Sequence, residues 1–162
     1  LADTGITLQD VFEAVIREFH SYASNYKNYW GTIPENFTRP SFLYLLTFSD
    51  SKRSSFFTLT TRLNLQVIVF TGLDARGVPD MGQQLSILQT LKPFLGQGHV
   101  AVKDRNLSFT YAINRADVEI SIDFKFEFLE DAVTPEYDAQ QLWDYMEHIY
   151  INKEELKTDG LT

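Results

Sequence analysis

Residues 117–128 read Asp-Val-Glu-Ile-Ser-Ile-Asp-Phe-Lys-Phe-Glu-Phe, and this run decides the fold class. Val118, Ile120, Ile122, Phe124, Phe126 and Phe128 alternate with Asp117, Glu119, Ser121, Asp123, Lys125 and Glu127. Successive side chains of a strand point to opposite faces, so the alternation predicts a strand with one face in a core and the other wet and mostly acidic. Such two-sided strands are typical of antiparallel sheets that are covered on one side only.

Working outward, a turn at Asn114–Ala116 leads back to a strand at 107–113, and a turn at Asp104-Arg105-Asn106 to a short strand at 99–103. Further upstream, 56–70 alternates too. Phe57, Leu59, Leu63, Leu65, Val67 and Val69 share one face with Thr61, and Thr58, Thr60, Arg62, Asn64 and Gln66 share the other. Its length predicts a bulge or a projection beyond the body. Ser49–Ser55 reads as a polar turn. The nearly continuous apolar run Ser41–Phe48, introduced by Arg39-Pro40, reads as a strand interior to the sheet.

Thr7 followed by Asp10 resembles a capping box and opens a helix in which Leu8, Val11, Phe12, Val15, Ile16 and Phe19 keep helical spacing. The stripe can be continued through Tyr22, Tyr26 and Tyr29 to Gly31, but Ser24 and Asn25 are weak helix formers, which sets the helix end near residue 23. Residues 71–80 read as a loop. Asp80 caps a second helix with a Met81, Leu85, Leu88, Leu91 stripe, ended by Pro93 and Gly96. After a loop at Glu130–Tyr137, Asp138 caps a third helix over 138–150, with Leu142, Trp143, Met146, Ile149 and Tyr150 on its apolar side, and 152–162 forms a frayed polar tail. The expectation is one α+β domain over 1–162 with its core in about 7–128. It has a mostly antiparallel four- to five-stranded sheet, two main helices packed on one side and an extra C-terminal helix.

Composition narrows the function classes. The chain has 162 residues, 44% hydrophobic and 22% charged, with thirteen Phe, a net charge of −8 and no cysteine. Disulfides and thiolate metal sites are thereby excluded. The acidic balance opposes tight, specific nucleic-acid binding, which needs clustered Lys and Arg. No stretch approaches the roughly 20 apolar residues that span a bilayer, so no membrane partner is expected.

No catalytic set stands out. His20, His99 and His148 lie in separate elements without metal-ligand spacing. Gly96-Gln97-Gly98 follows a helix, the reverse of a phosphate loop. Pro79-Asp80 with Asp123-Phe124-Lys125 superficially matches a magnesium-dependent nuclease pattern, but Asp80 reads as a helix cap. Tyr22, Tyr26, Tyr29, Trp30 and Phe37 form an aromatic segment that either packs internally or stacks on a sugar ring or other ligand. Asn36-Phe37-Thr38 and Asn106-Leu107-Ser108 are glycosylation sequons, accidental if no secretory signal precedes them. The acidic face of 117–128 reads either as a solvated sheet face or as the lining of a channel that DNA crosses without sticking.

Taken in order, the helix from Thr7, the Arg39-Pro40 pair before the apolar strand, the long strand ending Val67-Ile68-Val69-Phe70, the helix around Met81–Leu91 and the strand pair closing with Val118–Phe128 resemble the tail terminator proteins of Gram-positive bacteriophages, prophages and phage-tail-like bacteriocins. The likeness lies in the order and lengths of elements over about residues 7–128. It implies a structural virion protein, not an enzyme and without cofactor. It would assemble with itself into a hexameric ring at the head-proximal end of the tail, after synthesis in the host cytoplasm. Its partners would be the tail tube protein and a head or neck connector. Another head–tail connector or tail-completion protein, of the same broad class, is the nearest alternative. A ring needs two different complementary faces per subunit. The candidates are the hairpin 41–70 and the third helix with Trp143, Met146 and Tyr150, while the loops 49–55 and 71–80, with Asp50, Lys52, Arg53, Asp74 and Arg76, are the candidates to contact the tube or neck. Asp117, Glu119, Asp123 and Glu127 are the candidates for the lumen.

Overall fold

The computed structural model of the chain describes residues 5–131. The expected helix over 138–150, its residues Trp143, Met146 and Tyr150, the end of the preceding loop and the tail 152–162 lie outside the described residues. The elements are α1 (Leu8–Tyr22), β1 (Lys27–Trp30), β2 (Ser41–Arg53), β3 (Thr58–Phe70), α2 (Met81–Gln97), β4 (His99–Val102), β5 (Arg105–Ala116) and β6 (Glu119–Asp131). The fold is α+β. Its sheet has six strands in the order β1-β2-β3-β6-β5-β4, rather than four or five. β1 runs parallel to β2, and all other neighbours are antiparallel.

α1 begins as its sequence dictates. Thr7 Oγ1 accepts from the Asp10 N–H at 3.2 Å, and the Asp10 carboxylate accepts from the Thr7 N–H at 2.9 Å. That backbone bond, helped by Lys103 Nζ at 3.3 Å, holds the Asp10 carboxyl below its ordinary range. A depressed carboxylate contributes stability that is complete above its unfolded value and drains away as pH falls through its folded one. Asp10→Asn is therefore expected to cost about 1 kcal/mol near neutral pH and to flatten the acid limb of a stability–pH curve measured by urea unfolding.

Buried residues of both helices meet one face of the sheet. From α1 come Val11, Phe12, Ala14, Val15 and Phe19, and from α2 Ile87, Leu91, Phe94 and Leu95. Against them lie registered rows of strand residues such as Phe42–Val69–Ile120 and Tyr44–Val67–Ile122. Phe19 is the hub. Its ring meets Phe42 at 5.1 Å and Tyr44, Phe94 and Phe124 at 5.9 Å each, all steeply inclined as aromatic pairs prefer. Tyr44 is fully buried, which pushes its phenol up, and its hydroxyl donates to Asn28 Oδ1 at 2.8 Å.

Several expectations need correcting. The helix ends where Ser24 and Asn25 set it, near residue 23, but the segment after it is not irregular. α1 stops at the Ala23 cap, Tyr26 turns in to stack on Phe42 at 4.5 Å, and Lys27–Trp30 becomes the parallel edge strand. The polar stretch after Phe48 is no turn. β2 runs on to Arg53 because its hydroxyls and charges pair across to β3, and the reversal occupies 54–57. The irregularity expected in β3 sits on its partner, between Leu46 and Phe48.

α2 does not bury the Met81, Leu85, Leu88, Leu91 stripe. Met81 and Leu85 are 58% and 62% exposed, and the inward stripe is Gln84, Ile87, Leu91, Phe94 and Leu95. Gln84 can stand in it because its side-chain amide donates to the Val118 carbonyl at 3.0 Å. Pro93 lies inside the helix, where its missing N–H leaves one carbonyl on the exposed Gln89 side unpaired at little cost, and Gly98 in the left-handed region ends it. The last two hairpins turn on Lys103-Asp104, one residue earlier than expected, and on Asp117-Val118, later than expected, with Lys103 and Asp117 at positive φ. Asp117 and Val118 therefore leave the strand pattern, which holds from Glu119 onward.

Candidate interaction surfaces

The sheet face away from the helices is divided in two. Over its lower part the segment 31–40 folds across the strands, burying Ser41, Leu43 and Ser121. Arg39 fastens it. One guanidinium nitrogen donates to the Thr71 carbonyl at 2.8 Å and another to Glu119 Oε1 at 2.7 Å. The same guanidinium lies over the Phe37 and Phe70 rings, which themselves sit 4.9 Å apart. Tyr29 joins from β1, its hydroxyl accepting from the Thr38 N–H at 3.0 Å. Most of the aromatic segment is thus spent on internal packing; Trp30 leans on Phe12 at 5.1 Å while staying half exposed.

The upper part is open. Here Phe48, Arg62, Asn64, Lys125 and Glu127 line a shallow groove of about 450 Å³. Arg62 Nε donates to Asp50 Oδ1 at 2.8 Å, with a second contact between Nη2 and Oδ2, and the guanidinium stands over Phe48. The Arg62 hydrogen bonds hold the Asp50 carboxyl low. Asp123 accepts from the Asn114 amide.

The residues expected to act together are therefore separated. Asp117 is in a turn because its positive φ suits the tight hairpin. Glu119 is bound to Arg39 beneath the 31–40 segment, 12% exposed. Only Asp123 and Glu127 remain on the open face, and the cations Arg62 and Lys125 share it, so the face is mixed in charge rather than acidic. Of the hairpin charges, Asp50 is committed to Arg62, Arg53 donates to the Phe56 carbonyl at 3.0 Å, and Lys52 is exposed. Asp74 orders its own turn by accepting from the Arg76 and Val78 N–H groups at 2.8 and 3.3 Å, with the Arg76 side chain projecting outward.

Asp80 is the α2 cap, accepting from the Gly82 N–H at 2.8 Å, rather than a partner of Asp123 and Lys125. Among the described residues no three His, Asp or Glu side chains gather as a metal site would need, and no helix is long and apolar enough to cross a membrane.

Sequence reasoning missed the two margins of the sheet. β1 pairs with β2 only over Ser41–Tyr44, and β4 with β5 only over Arg105–Ser108, so each long strand continues without a described neighbour. The exposed side chains Trp30 and Leu46 lie at the first margin; Leu85, Tyr111 and Ile113 lie at the second. The available signal was the better α2 stripe, Ile87, Leu91, Phe94 and Leu95, which would have left Leu85 outside.

Neither a scan against protein-family models nor a search of curated proteins finds a match to this chain.

Proposed function

We propose that this chain is a structural virion protein, a phage tail terminator or closely related head–tail junction protein, which caps the tail tube as a ring of copies. The observation that supports it best is that the described residues have one core and two unlike sheet margins without a described neighbour, since a cyclic ring needs two different faces that complement each other. The order of elements quoted for the resemblance adds to it. In this reading the open sheet face, with Asp123, Glu127, Lys125 and Arg62, lines the lumen. Its interspersed charges would leave passing DNA without a basic strip to grip. The hairpin tip, where Phe56 and Phe57 are exposed, and the Asp74–Arg76 turn would meet the tube or neck.

Deleting the gene in its producing strain and measuring tails by negative-stain electron microscopy tests the reading. Overlong, headless tubes of variable length are the expected result. Tails of normal length without heads would move the protein to the neck. Normal complete particles would remove it from the virion altogether.

A further inference from the structure

We propose that copies of this chain join head to tail by sheet-edge pairing, the open edge of β5 around Tyr111–Arg115 receiving the distal edge of β2 around Leu46–Asp50 of the next copy. The proposal deepens the ring reading and rests on it for its setting, but its geometry is independent of any phage.

The β5 edge is defined by backbone direction. The Phe109 N–H donates to the Gly98 carbonyl at 2.9 Å, so the odd-numbered amides of β5 point away from β6. Pairing with β4 ends at Ser108, and Tyr111, Ile113 and Arg115 direct their amides to an edge where no described residue pairs. On the opposite margin β2 continues past Tyr44 without a described neighbour outside it. An unpaired edge is a template for another strand.

The two edges match in direction, position and surface, and the irregularity between Leu46 and Phe48 is the one break in the β2 edge. Counting antiparallel steps from β2 through β3 and β6 to β5 shows that β2 and β5 run in opposite senses. A neighbour related by rotation about an axis along the strands therefore offers an antiparallel partner. The open stretches lie at diagonally opposite ends: distal β2 registers with the Phe124–Glu130 end of the sheet through β3, whereas open β5 registers with Glu119–Phe124. Successive copies then step along the strand direction, which tilts the strands as closure of a sheet requires.

On the helix side of each edge lies an apolar group. Trp30 registers with Tyr44, and Leu46 follows two residues on along that face. Leu85, Leu88, Tyr111 and Ile113 border a groove of about 340 Å³ on the other margin. Trp30, Leu46, Leu85, Tyr111 and Ile113 are between 43% and 62% exposed. A knob at one margin and a groove at the other, both on the same side of the sheet, suit a heterologous contact. Pairing β5 with its own copy would leave the β2 margin uncovered and stop at a dimer. Lys52 and Arg53 at the far end of β2 oppose pairing there and confine it to the part nearest Leu46.

The chain has no cysteine, so an introduced thiol is unique. Full-length Leu46→Cys and Ile113→Cys proteins, concentrated separately and mixed, are treated with a bismaleimide reaching ~10 Å, about two strand spacings. The expected result is a cross-linked pair in the mixture only, and a ladder of multimers from the double variant. Ile113→Cys cross-linking to itself would replace the proposal with a twofold β5 contact; no product in the mixture would overturn it.

A second variant separates edge pairing from apolar contact. Ile113→Pro removes an amide that faces the open edge and leaves the β5–β6 ladder intact. With Tyr111→Cys in that background against Leu46→Cys, the cross-link should fall at least tenfold while the thermal unfolding curve is retained. An undiminished cross-link would overturn edge pairing. Cross-linked copies combined with normal particles in the deletion strain would keep this contact and remove the cap. Overlong tubes without cross-links would do the reverse.

Discussion

Phe19→Ala should destabilise the described domain by about 3–5 kcal/mol, read as a lowered urea midpoint with an unchanged slope. Phe19 is fully buried and is the one side chain of α1 whose ring meets β2, β6 and α2 at once, through Phe42, Tyr44, Phe124 and Phe94. Truncation removes the transfer energy of the ring and leaves a cavity walled by four other rings. Those rings are held by partners of their own, Tyr26 on Phe42 and Phe109 on both Phe94 and Phe124, so they cannot collapse into the space. Domain stabilities are about 5–15 kcal/mol, so one substitution removes a large share. Phe19→Leu should recover roughly half. A loss below about 1 kcal/mol would mean that the aromatic cluster repacks freely.

Arg39→Ala should cost about 2–4 kcal/mol, far more than an exposed ion pair would. Arg39 and Glu119 keep only 23% and 12% of their side-chain surface, and Glu119 Oε2 has no hydrogen-bond partner among the described residues. Removing the guanidinium strands a largely buried carboxylate, frees the Thr71 carbonyl and takes the flat cation from over the Phe37 and Phe70 rings. Arg39→Lys keeps the charge but loses the fork and the ring stacking, so it should recover only part. The double change Arg39→Met with Glu119→Leu should recover most of the loss, because an apolar pair of similar size has no desolvation to repay. Urea unfolding of the wild type, Arg39→Met, Glu119→Leu and the double variant as a double-mutant cycle reads the coupling. Additive single losses would show that the clamp acts only through packing.

How far the sequence discloses this molecule depends on the range of the forces involved. Short-range signals carry through: the Thr7–Asp10 box, the alternation of β3 and of β6 from Glu119, and the Asp80 cap are all where side-chain chemistry puts them. Signals that need a partner do not. β1 is four residues long and exists because β2 lends it a ladder, so no periodicity announces it. The polar end of β2 is held by cross-strand bonds such as Ser51–Thr61 and Asp50–Arg62. Glu119 alternates like its neighbours, yet a residue eighty positions away decides that it faces Arg39 rather than solvent. The candidate site fared accordingly. Asp123 and Glu127 stay on one open face, Asp117 and Glu119 do not, and the sheet margins become visible only when strand lengths are compared in register.

The 31–40 segment also gives the subunit a mechanical gradient. Where Arg39 fastens it, helices, sheet and cover form three layers. At the other end, where Arg53 pairs with Leu59 and Thr58 with Asp131, three strands continue as a single layer among the described residues. A thin plate bends far more easily than a thick one, so the described unit should have a stiff root and a compliant tongue, with the root-side amides the slowest to exchange. Such a subunit can shape its tip to a curved or mismatched surface while its core stays undisturbed, and it distinguishes its two ends by stiffness as well as by chemistry.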